Sequence, residues 1–420
     1  MEKTLIGNFK IEKLKLIVFI GIVGFISAVI YHYVLGFYKN FPWPYNSFLF
    51  TPEDKFMDFY HTWIMGRDIL AGNNPYINEF PFVYFPFAAF AILPFSFGNW
   101  YVGLVIFSLL VIAVFGWFLY QAIKGFENYN LLEKASCVIL LAITSYPLLF
   151  VLDRGNIEGL LFMFLCFYIY FYKKGRFLLS IIPLALAISM KLYPLVFIVL
   201  LISDRRYKET IFCILLSFVI TLSSLFLMKG NIFFSVIEFM KNLHWFKETA
   251  IIGNSGANYS HSLFNAFKGV YLHLPIIKDL NIFSSLYTIL VFIIFGLIAL
   301  YIIFAEKKLW RKTILLVLSM ILLPYVSFDY TLIHIYIPLM LFINSDEKTS
   351  KSNLATCILF GLLIIPKHYI IPVMSYNVSI NVYLNPLIML SIIGTILKEG
   401  ISELRKKRQS KIILFNEVEK

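Results

Sequence analysis

Several ionisable side chains lie in or beside long apolar stretches of this sequence, where a charge is rare enough to suggest chemistry. Asp58 opens an aromatic-rich segment, Arg154 lies at a junction of two apolar stretches, and Lys191 stands between two more. Asp329 marks another junction, with His334 about one helical turn beyond it. A charge inside a membrane costs roughly 2.5–3.5 kcal/mol on insertion scales, so each is a functional candidate. A carboxylate at such a boundary can act as a general base, and a fixed cation can stabilise an anion.

Each of these side chains also has a structural explanation. The apolar spacing predicts a short amphipathic helix over residues 56–70 in the membrane interface, and Asp58 can serve as its N-terminal cap. Lys191 can extend its ammonium group to the interface, and Asp153 can form a local ion pair with Arg154 at helix ends. The residues alone leave both explanations open.

Other kinds of chemistry leave no recognisable pattern in the chain. The seven histidines never occur at HxxxH or HExxH spacing, so no zinc site is predicted. The sequence has no glycine loop for a nucleotide phosphate, and its four cysteines lie in apolar segments without CxxC spacing. We therefore predict no metal, no other cofactor and no bound nucleic acid.

The elements that carry these side chains are predicted to be membrane helices. Of the 420 residues, 60% are hydrophobic and only 14% are charged, which is too little polar surface for a soluble protein of this size. Apolar blocks of about 14–25 residues match a hydrocarbon core roughly 30 Å thick. The predicted fold is an all-α polytopic bundle of about 12 spans, at 15–38, 100–122, 134–150, 157–172, 177–190, 192–203, 210–228, 282–304, 312–327, 330–343, 353–366 and 382–398.

The basic residues set the predicted orientation in the cell membrane. The net charge of +12 comes from lysine and arginine clusters that share one side when the N-terminus is cytoplasmic. Both termini are then cytoplasmic, and the lipid bilayer is the main partner. A single transmembrane domain covers residues 1–398, a basic tail covers 399–420, and large external loops follow the first and seventh spans at 39–82 and 229–281.

One stretch allows a second assignment of the spans. Residues 82–97 contain Pro86 and Pro94, so they span poorly as one straight helix and are interpreted as re-entrant or as the start of the next span. The alternative makes 82–97 a true span and fuses 177–203 into one helix. It also gives about twelve spans, with a weaker charge bias.

Several short motifs, in this order, resemble a known enzyme family. They are Asp58 with its aromatic segment, Ala71-Gly-Asn-Asn-Pro-Tyr76, Tyr84-Phe-Pro86, Gly155-Asn156, Lys191-Leu-Tyr-Pro194 with Arg205-Arg206 after it, and Ser327-Phe-Asp-Tyr330. Between about residues 55 and 345 the chain resembles the GT-C glycosyltransferases, most closely glycosyltransferase family 87. Two departures are Ser260-His-Ser-Leu263 for an Asn-Gln-Ser-Leu-like run, and Tyr330 where the family tends to carry a histidine.

The resemblance implies a reaction and a set of roles. A hexose, mannose, would move from a polyprenyl-phosphate donor to a glycan or glycolipid acceptor on the external face, by inverting displacement with Asp58 as the base. The donor phosphate would be held by Lys191, Arg154, His261 and His334, in falling order of preference. Residues implied in substrate binding are Tyr60, Trp63, Tyr76, Tyr84, Asn156, Tyr193, Asp329 and Tyr330.

Three rival interpretations remain compatible with parts of the sequence, and one of them is a non-enzymatic scaffold subunit that has lost its activity. A transporter or flippase for a lipid-linked or small polar substrate would also bury charges at span junctions, but it predicts inverted repeats, which we do not find. A GT-C enzyme that moves another sugar is also compatible, because sugar choice rests on a few hydroxyl contacts.

Overall fold

The apolar stretches of the sequence form helices, since a backbone in hydrocarbon must satisfy its hydrogen bonds internally. The computed structural model describes residues 2–40, 47–49, 55–253, 255, 257–273, 279–347, 350–373 and 376–418. The α-helices of this part of the chain are α1 Glu2–Tyr33, α2 Met57–Leu70, α3 Phe87–Ala91, α4 Trp100–Ile123, α5 Leu131–Ile143, α6 Tyr146–Arg154, α7 Glu158–Lys173, α8 Phe177–Met190, α9 Ile198–Ser203, α10 Tyr207–Leu227, α11 Ile232–Phe246, α12 Leu263–His273, α13 Leu280–Phe304, α14 Leu309–Leu322, α15 Tyr336–Ile343, α16 Lys351–Ile364 and α17 Asn381–Val418.

Shorter elements join these helices. The 3-10 helices are Pro75–Ile77, Leu93–Phe95, Tyr193–Phe197, Ala257–Tyr259 and Asp329–Ile335, and the π-helical turns are Val34–Tyr38 and Lys247–Ile252. Two short strands, β1 Ile370–Val373 and β2 Tyr376–Ser379, pair antiparallel with Ile370 opposite Ser379. This strand pair is a small departure from the predicted all-α fold, and its valines and isoleucines favour extended backbone.

The structure supports a helical membrane protein but does not establish the number of spans. Within the described residues, four helical stretches are long and apolar enough to cross a membrane, namely Lys10–Gly36, Trp100–Ile123, Tyr207–Leu227 and Leu280–Phe304. Helices α5 and α6 make a fifth candidate if they are one span bent by 59°. The other predicted spans coincide with shorter helices, so the count of about twelve stays a prediction.

The two span assignments differ at residues 82–97 and 177–203, and in the structure neither stretch is one continuous helix. Residues 82–97 contain only the short α3 and the 3-10 turn Leu93–Phe95, with Pro86 at the start of α3 and Pro94 inside the turn. Helix α8 ends at Met190, and Lys191 has extended backbone before the next 3-10 helix begins. The alternative assignment needs one continuous helix over 177–203, which the structure does not contain.

Each predicted external loop carries helices of its own. Helix α2 occupies the first loop, close to the predicted range 56–70, and buries Phe59, Thr62, Met65 and Gly66 on one face. Helices α11 and α12 occupy the second loop. Residues 41–46, 50–54, 254, 256 and 274–278 of these loops lie outside the described residues.

The packing core runs along helices α7, α8, α14 and α15. Helix α7 packs against α8, and α8 packs against α10, while α14 lies against α15. Every side chain from Trp310 to Leu322 in α14 is buried, as expected for a helix that is apolar on nearly all sides. The 3-10 helix Asp329–Ile335 contacts α6, α7 and α14, so it brings its polar residues to the junction of these helices.

Candidate active site

Asp58 lies in the first turn of α2, where the structure fixes it against α6. Phe56, the residue before the helix, has a left-handed backbone with φ of 61°, and its N–H donates to the carbonyl oxygen of Asp153 over 2.8 Å. No side-chain cap is made at this helix end. The carboxylate of Asp58 points instead to side chains beyond its own helix.

Two side chains on either side of Gly155 hold that carboxylate. Arg154 donates to Oδ1 of Asp58, and the amide of Asn156 donates to Oδ2 over 2.7 Å. Gly155 ends α6 with φ of +60° and reverses the chain. A Cβ atom at this position would lie 2.4 Å from the Cβ of Phe59. Only glycine fits both the conformation and the space, which is why Arg154 and Asn156 can reach one carboxylate.

A second carboxylate, Glu158, is the centre of a larger network. Its side chain is fully buried. Oε1 accepts from Nζ of Lys191 over 2.5 Å and from the hydroxyl of Tyr193. Oε2 is bonded to Nε2 of His334 over 2.8 Å. The side chain of Asn156 links the two carboxylates, because its Oδ1 also accepts from the backbone N–H of Glu158 over 3.0 Å.

The break between α8 and the next 3-10 helix positions Lys191. Pro194, at the start of that 3-10 helix, has no N–H to donate to the carbonyl of Met190, so α8 cannot continue through it unbroken. The ammonium group of Lys191 lies 4.5 Å from the ring centre of Tyr84, 5.8 Å from Tyr193 and 5.9 Å from Tyr330. Three tyrosine rings and one carboxylate therefore surround this cation.

These groups face a cavity of about 500 Å³. Of the residues predicted for the site, Asp58, Tyr84, Lys191, Tyr193 and Tyr330 line it. Other described residues that line it are His61, Glu79, Phe80, Pro81, Val83, Glu158, Trp245, Phe246, Val326, Ser327, Phe328 and Thr331. The cavity thus combines a carboxylate, a cation and several aromatic rings, which suits a sugar and an anionic group.

The charges at the cavity are nearly balanced. Asp58 is ion-paired with Arg154, and Glu158 with Lys191. Burial lowers the pKa of His61 below its ordinary value, Asp58 opposes this shift, and Arg154 adds to it. His61 is therefore neutral at physiological pH, and the exposed Glu79 is the remaining carboxylate among the described lining residues.

Asp329 and His261 form a separate polar centre behind the cavity wall. Both side chains are fully buried, and Nδ1 of His261 lies 2.8 Å from Oδ1 of Asp329. Oδ2 of Asp329 accepts from the hydroxyl of Tyr146 over 2.5 Å and from the amide of Asn381 over 2.6 Å. The other ring nitrogen of His261 lies 3.3 Å from the hydroxyl of Thr331, which does line the cavity.

The structure places several predicted residues away from the cavity surface. Tyr60 and Trp63 stack on each other with ring centres 6.2 Å apart. Tyr76 is buried, and its hydroxyl donates to the carbonyl oxygen of Tyr84 over 3.0 Å. Arg154 and Asn156 contact Asp58, and His334 contacts Glu158, so these three side chains do not line the cavity. Asp329 and His261 contact each other. Their roles toward a substrate stay predictions.

Sequence reasoning did not assign a role to Glu158, although a signal for it was present. Glu158 is an isolated carboxylate at the start of an apolar stretch, which is the pattern that marks functional charges in membranes. His61, Glu79 and Trp245 were also missed. They come from different loops, and nothing in their spacing indicates that they share a cavity.

A second, apolar groove adjoins the polar cavity. Its volume is about 880 Å³. Its described lining comes from residues 192–199 and from helices α10, α11, α13 and α14, and it includes Val199, Val291 and Phe295. Tyr193 lines both the groove and the cavity. The hydroxyl of Tyr193 contacts Glu158, so one tyrosine forms the boundary between an apolar and a polar compartment.

The described residues do not bring together three or more His, Cys, Asp or Glu side chains in a position to hold a metal ion. The candidate site is therefore characterised by its carboxylates, its cations and its aromatic rings.

Comparisons with known proteins identify the class of this protein. The helical membrane fold with a polar cavity beside an apolar groove is compatible with transfer between membrane-borne substrates. The family model of glycosyltransferase family 87 matches residues 82–326, more than half of the chain, and the chain belongs to this family. The protein is a membrane glycosyltransferase. No curated protein and no solved structure matches it. Asp58 lies outside the matched residues, so its role is argued from geometry.

Proposed function

We propose that this enzyme transfers mannose from a polyprenyl-phosphate donor to a glycan or glycolipid acceptor at the external face of the cell membrane. The observation that carries the proposal is the junction at Tyr193, which borders both the polar cavity and the apolar groove. A lipid-linked sugar has the same division, because its isoprenoid chain is apolar and its sugar phosphate is polar. A water-soluble nucleotide sugar would leave the groove without a function.

The charge balance of the cavity supports a donor with a single phosphate. Asp58 with Arg154 and Glu158 with Lys191 are compensated pairs, so the cavity offers no large excess of positive charge. A phosphodiester carries one negative charge, whereas a pyrophosphate or a nucleotide diphosphate carries more. The singly charged donor therefore requires the smallest rearrangement of these pairs.

The proposed reaction is a single displacement that inverts the anomeric carbon. The acceptor hydroxyl attacks that carbon, its proton passes to Asp58, and the bond from the anomeric carbon to the phosphate oxygen breaks. The products are the glycosylated acceptor and polyprenyl phosphate. One base is sufficient because no covalent enzyme intermediate forms.

Arg154 has a part in this proposal through its ion pair with Asp58. When Asp58 accepts the proton it loses its charge, and its ion pair with Arg154 becomes a hydrogen bond to a neutral carboxyl group. At the same moment the leaving phosphate gains a negative charge. The guanidinium of Arg154 and the ammonium of Lys191 then stabilise that phosphate, as fixed cations do at developing anions.

The experiment compares donors of different chemistry. The purified enzyme in proteoliposomes is given radiolabelled mannose on polyprenyl monophosphate, on polyprenyl pyrophosphate, or on guanosine diphosphate. Transfer from the monophosphate alone supports the proposal. Efficient transfer from guanosine diphosphate mannose without a lipid carrier contradicts it.

A pair of variants tests the groove. Val291→Trp fills the groove, so we expect transfer from a long-chain donor to fall while transfer from a short water-soluble isoprenyl donor persists. Leu297→Trp lies on the same helix, is 63% exposed and does not line the groove, so it is the matched control. Equal effects of Val291→Trp on both donors would contradict a lipid role for the groove.

A further inference from the structure

A smaller pocket lies at the far end of the helices that build the active site. Its volume is about 240 Å³, and its walls come from the ends of α4, α7 and α15. Helix α7 begins at Glu158 in the active site and ends at Lys173 in this pocket. Its 16 residues correspond to a length of about 24 Å. The pocket is therefore separated from the active site by most of the thickness of a membrane.

The pocket combines apolar walls with three lysines. Phe118, Ile169 and Leu341 contribute to its walls, and Lys124, Lys173 and Lys174 to its edge. No carboxylate is among its described lining residues. An apolar interior with a cationic edge is complementary to a ligand that has both a hydrocarbon chain and a negative charge.

Two of these lysines donate hydrogen bonds to neutral groups in the described part of the chain. Nζ of Lys174 donates to the hydroxyl of Tyr170 over 2.6 Å, and Nζ of Lys124 donates to the amide oxygen of Gln121 over 2.5 Å. No described carboxylate lies within 4.0 Å of any of the three ammonium groups. Asp346 attracts Lys173 electrostatically, but its carboxylate already forms an ion pair with Lys10 over 2.6 Å.

In an adjoining cavity, by contrast, the basic side chains are paired with carboxylates. Lys308 and Arg311 line that cavity, which has a volume of about 690 Å³ and shares Lys173 with the smaller pocket. Lys308 is ion-paired with Glu347 and Glu403, and Arg311 with Glu399 and Glu403. Cations a short distance away are thus ion-paired within the protein, whereas none of the three pocket lysines forms an ion pair with a described carboxylate.

We propose that this pocket binds an anionic phospholipid of the membrane leaflet opposite the active site, with its phosphate on Lys124, Lys173 and Lys174. The volume equals roughly eight water molecules at ~30 Å³ each, so it receives part of one acyl chain, and the rest of the lipid stays in the bilayer. A general preference for lysine on the cytoplasmic side explains basic residues at this end. It does not explain why three of them surround one apolar pocket without a counter-charge.

Binding is measured with the full-length protein in phosphatidylcholine vesicles that contain a trace of photoactivatable phosphatidylglycerol. We expect cross-links within residues 118–124, 169–174 and 340–344. Excess phosphatidylglycerol should abolish them, whereas excess phosphatidylcholine or free glycerol phosphate should not, since the first lacks net charge and the second lacks an acyl chain. Cross-links spread evenly over the lipid-facing helices would overturn the proposal.

Substitution of the lysines separates a site from general surface charge. The triple variant Lys124→Gln, Lys173→Gln and Lys174→Gln should bind phosphatidylglycerol roughly fivefold more weakly per lysine, or about hundredfold in total. The matched control is Lys208→Gln, Lys307→Gln and Lys351→Gln, three exposed lysines at the same end of the bundle. Equal loss in both triple variants, or no loss in the pocket variant, contradicts a specific site. The wild-type cross-linking map decides the question even if a variant folds poorly.

Discussion

At the scale of single residues, the candidate site is made of charges that neutralise one another. Asp58 is held by Arg154 and Asn156, and Glu158 by Lys191. A buried charge without a partner is costly, whereas a paired and hydrogen-bonded charge is tolerated. The ion pairs therefore keep charged groups stable inside a membrane protein. A bound substrate can replace one partner of a pair and so interact with the other.

The first prediction concerns Lys191. Its ammonium is a cation on the cavity wall, so Lys191→Ala should raise the KM for the lipid-phosphate donor at least about tenfold and the KM for the acceptor much less. The measurement is initial transfer rates at varied donor and acceptor concentrations. Lys208→Ala, an exposed lysine away from the cavity, is the control. Equal changes in both KM values would remove Lys191 from donor binding.

The second prediction concerns pH. Burial lowers the pKa of His61 below its ordinary value, and the proposed base is the carboxylate of Asp58, not this histidine. The acid limb of kcat/KM should therefore reflect protonation of a carboxylate. His61→Gln should leave the midpoint of that limb unchanged, as measured by transfer rates between about pH 4 and pH 8. A clear shift of the midpoint in His61→Gln would assign the limb to the histidine.

At the scale of elements, breaks in helices place the functional groups. Gly155 ends α6 so that residues on both sides of it reach Asp58, and the end of α8 places Lys191 beside Glu158. A continuous helix would direct these side chains to different faces. The site therefore depends on where helices stop as much as on the residues that they carry.

The third prediction tests one of these breaks. Gly155→Ala should lower both stability and activity, because it combines left-handed strain of roughly 1–2 kcal/mol with a clash against Phe59 that adds about 1–3 kcal/mol. Gly175→Ala is a matched control, since Gly175 has φ of +70° but no atom within 4 Å of an added Cβ. Thermal unfolding in detergent and transfer rates are the measurements. Equal losses in the two variants would show that the contact with Phe59 does not matter.

The sequence predicts the helices of this protein better than it predicts their meeting points. Hydropathy locates most of the long described helices but not α11 and α12, which lie in a predicted loop. Two prolines correctly indicate that residues 82–97 are not one straight helix. The pairing of Glu158 with His334 joins residues 176 positions apart, and that of Asp58 with Arg154 joins residues 96 apart. Such contacts depend on how helices pack, which a single sequence does not specify.

Because a single sequence does not specify how helices pack, it predicted substrate contacts for His261 and Asp329. Polar residues at span junctions are reasonable candidates for substrate contact, but here they satisfy each other in the protein interior. Hydropathy indicates that a charge in a membrane must have a partner. It does not indicate whether that partner is a substrate or another side chain.

At the scale of the whole molecule, the bundle has two chemically different ends. The active-site cavity lies at one end of α7, and the uncompensated lysines lie at the other end. The lysine-rich end is expected to face the cytoplasm, which places the cavity outside. This orientation is part of the proposed function, because the lipid-phosphate sugar must be presented on the side where the acceptor is found.

The fourth prediction tests this orientation. A cysteine introduced at exposed Asn73, just beyond α2, should react with a membrane-impermeant maleimide on intact cells. A cysteine at Lys208 should react only after the membrane is opened. The wild-type protein is the control, because three of its four cysteines are buried and the fourth is half-buried. Labelling of Lys208→Cys but not Asn73→Cys on intact cells would reverse the topology.

The fifth prediction is the most direct test of the account, which holds that Asp58 accepts the proton of the attacking hydroxyl. The measurement is transfer of radiolabelled mannose from polyprenyl phosphate by purified wild-type enzyme, Asp58→Asn and Asp68→Asn, with thermal unfolding as the check on folding. Asp68 lies on the same helix, bonded to Asn78, and away from the described cavity lining. We expect Asp68→Asn to keep its activity and Asp58→Asn to lose about 10²–10⁴-fold. A folded Asp58→Asn enzyme with wild-type rates would contradict the account.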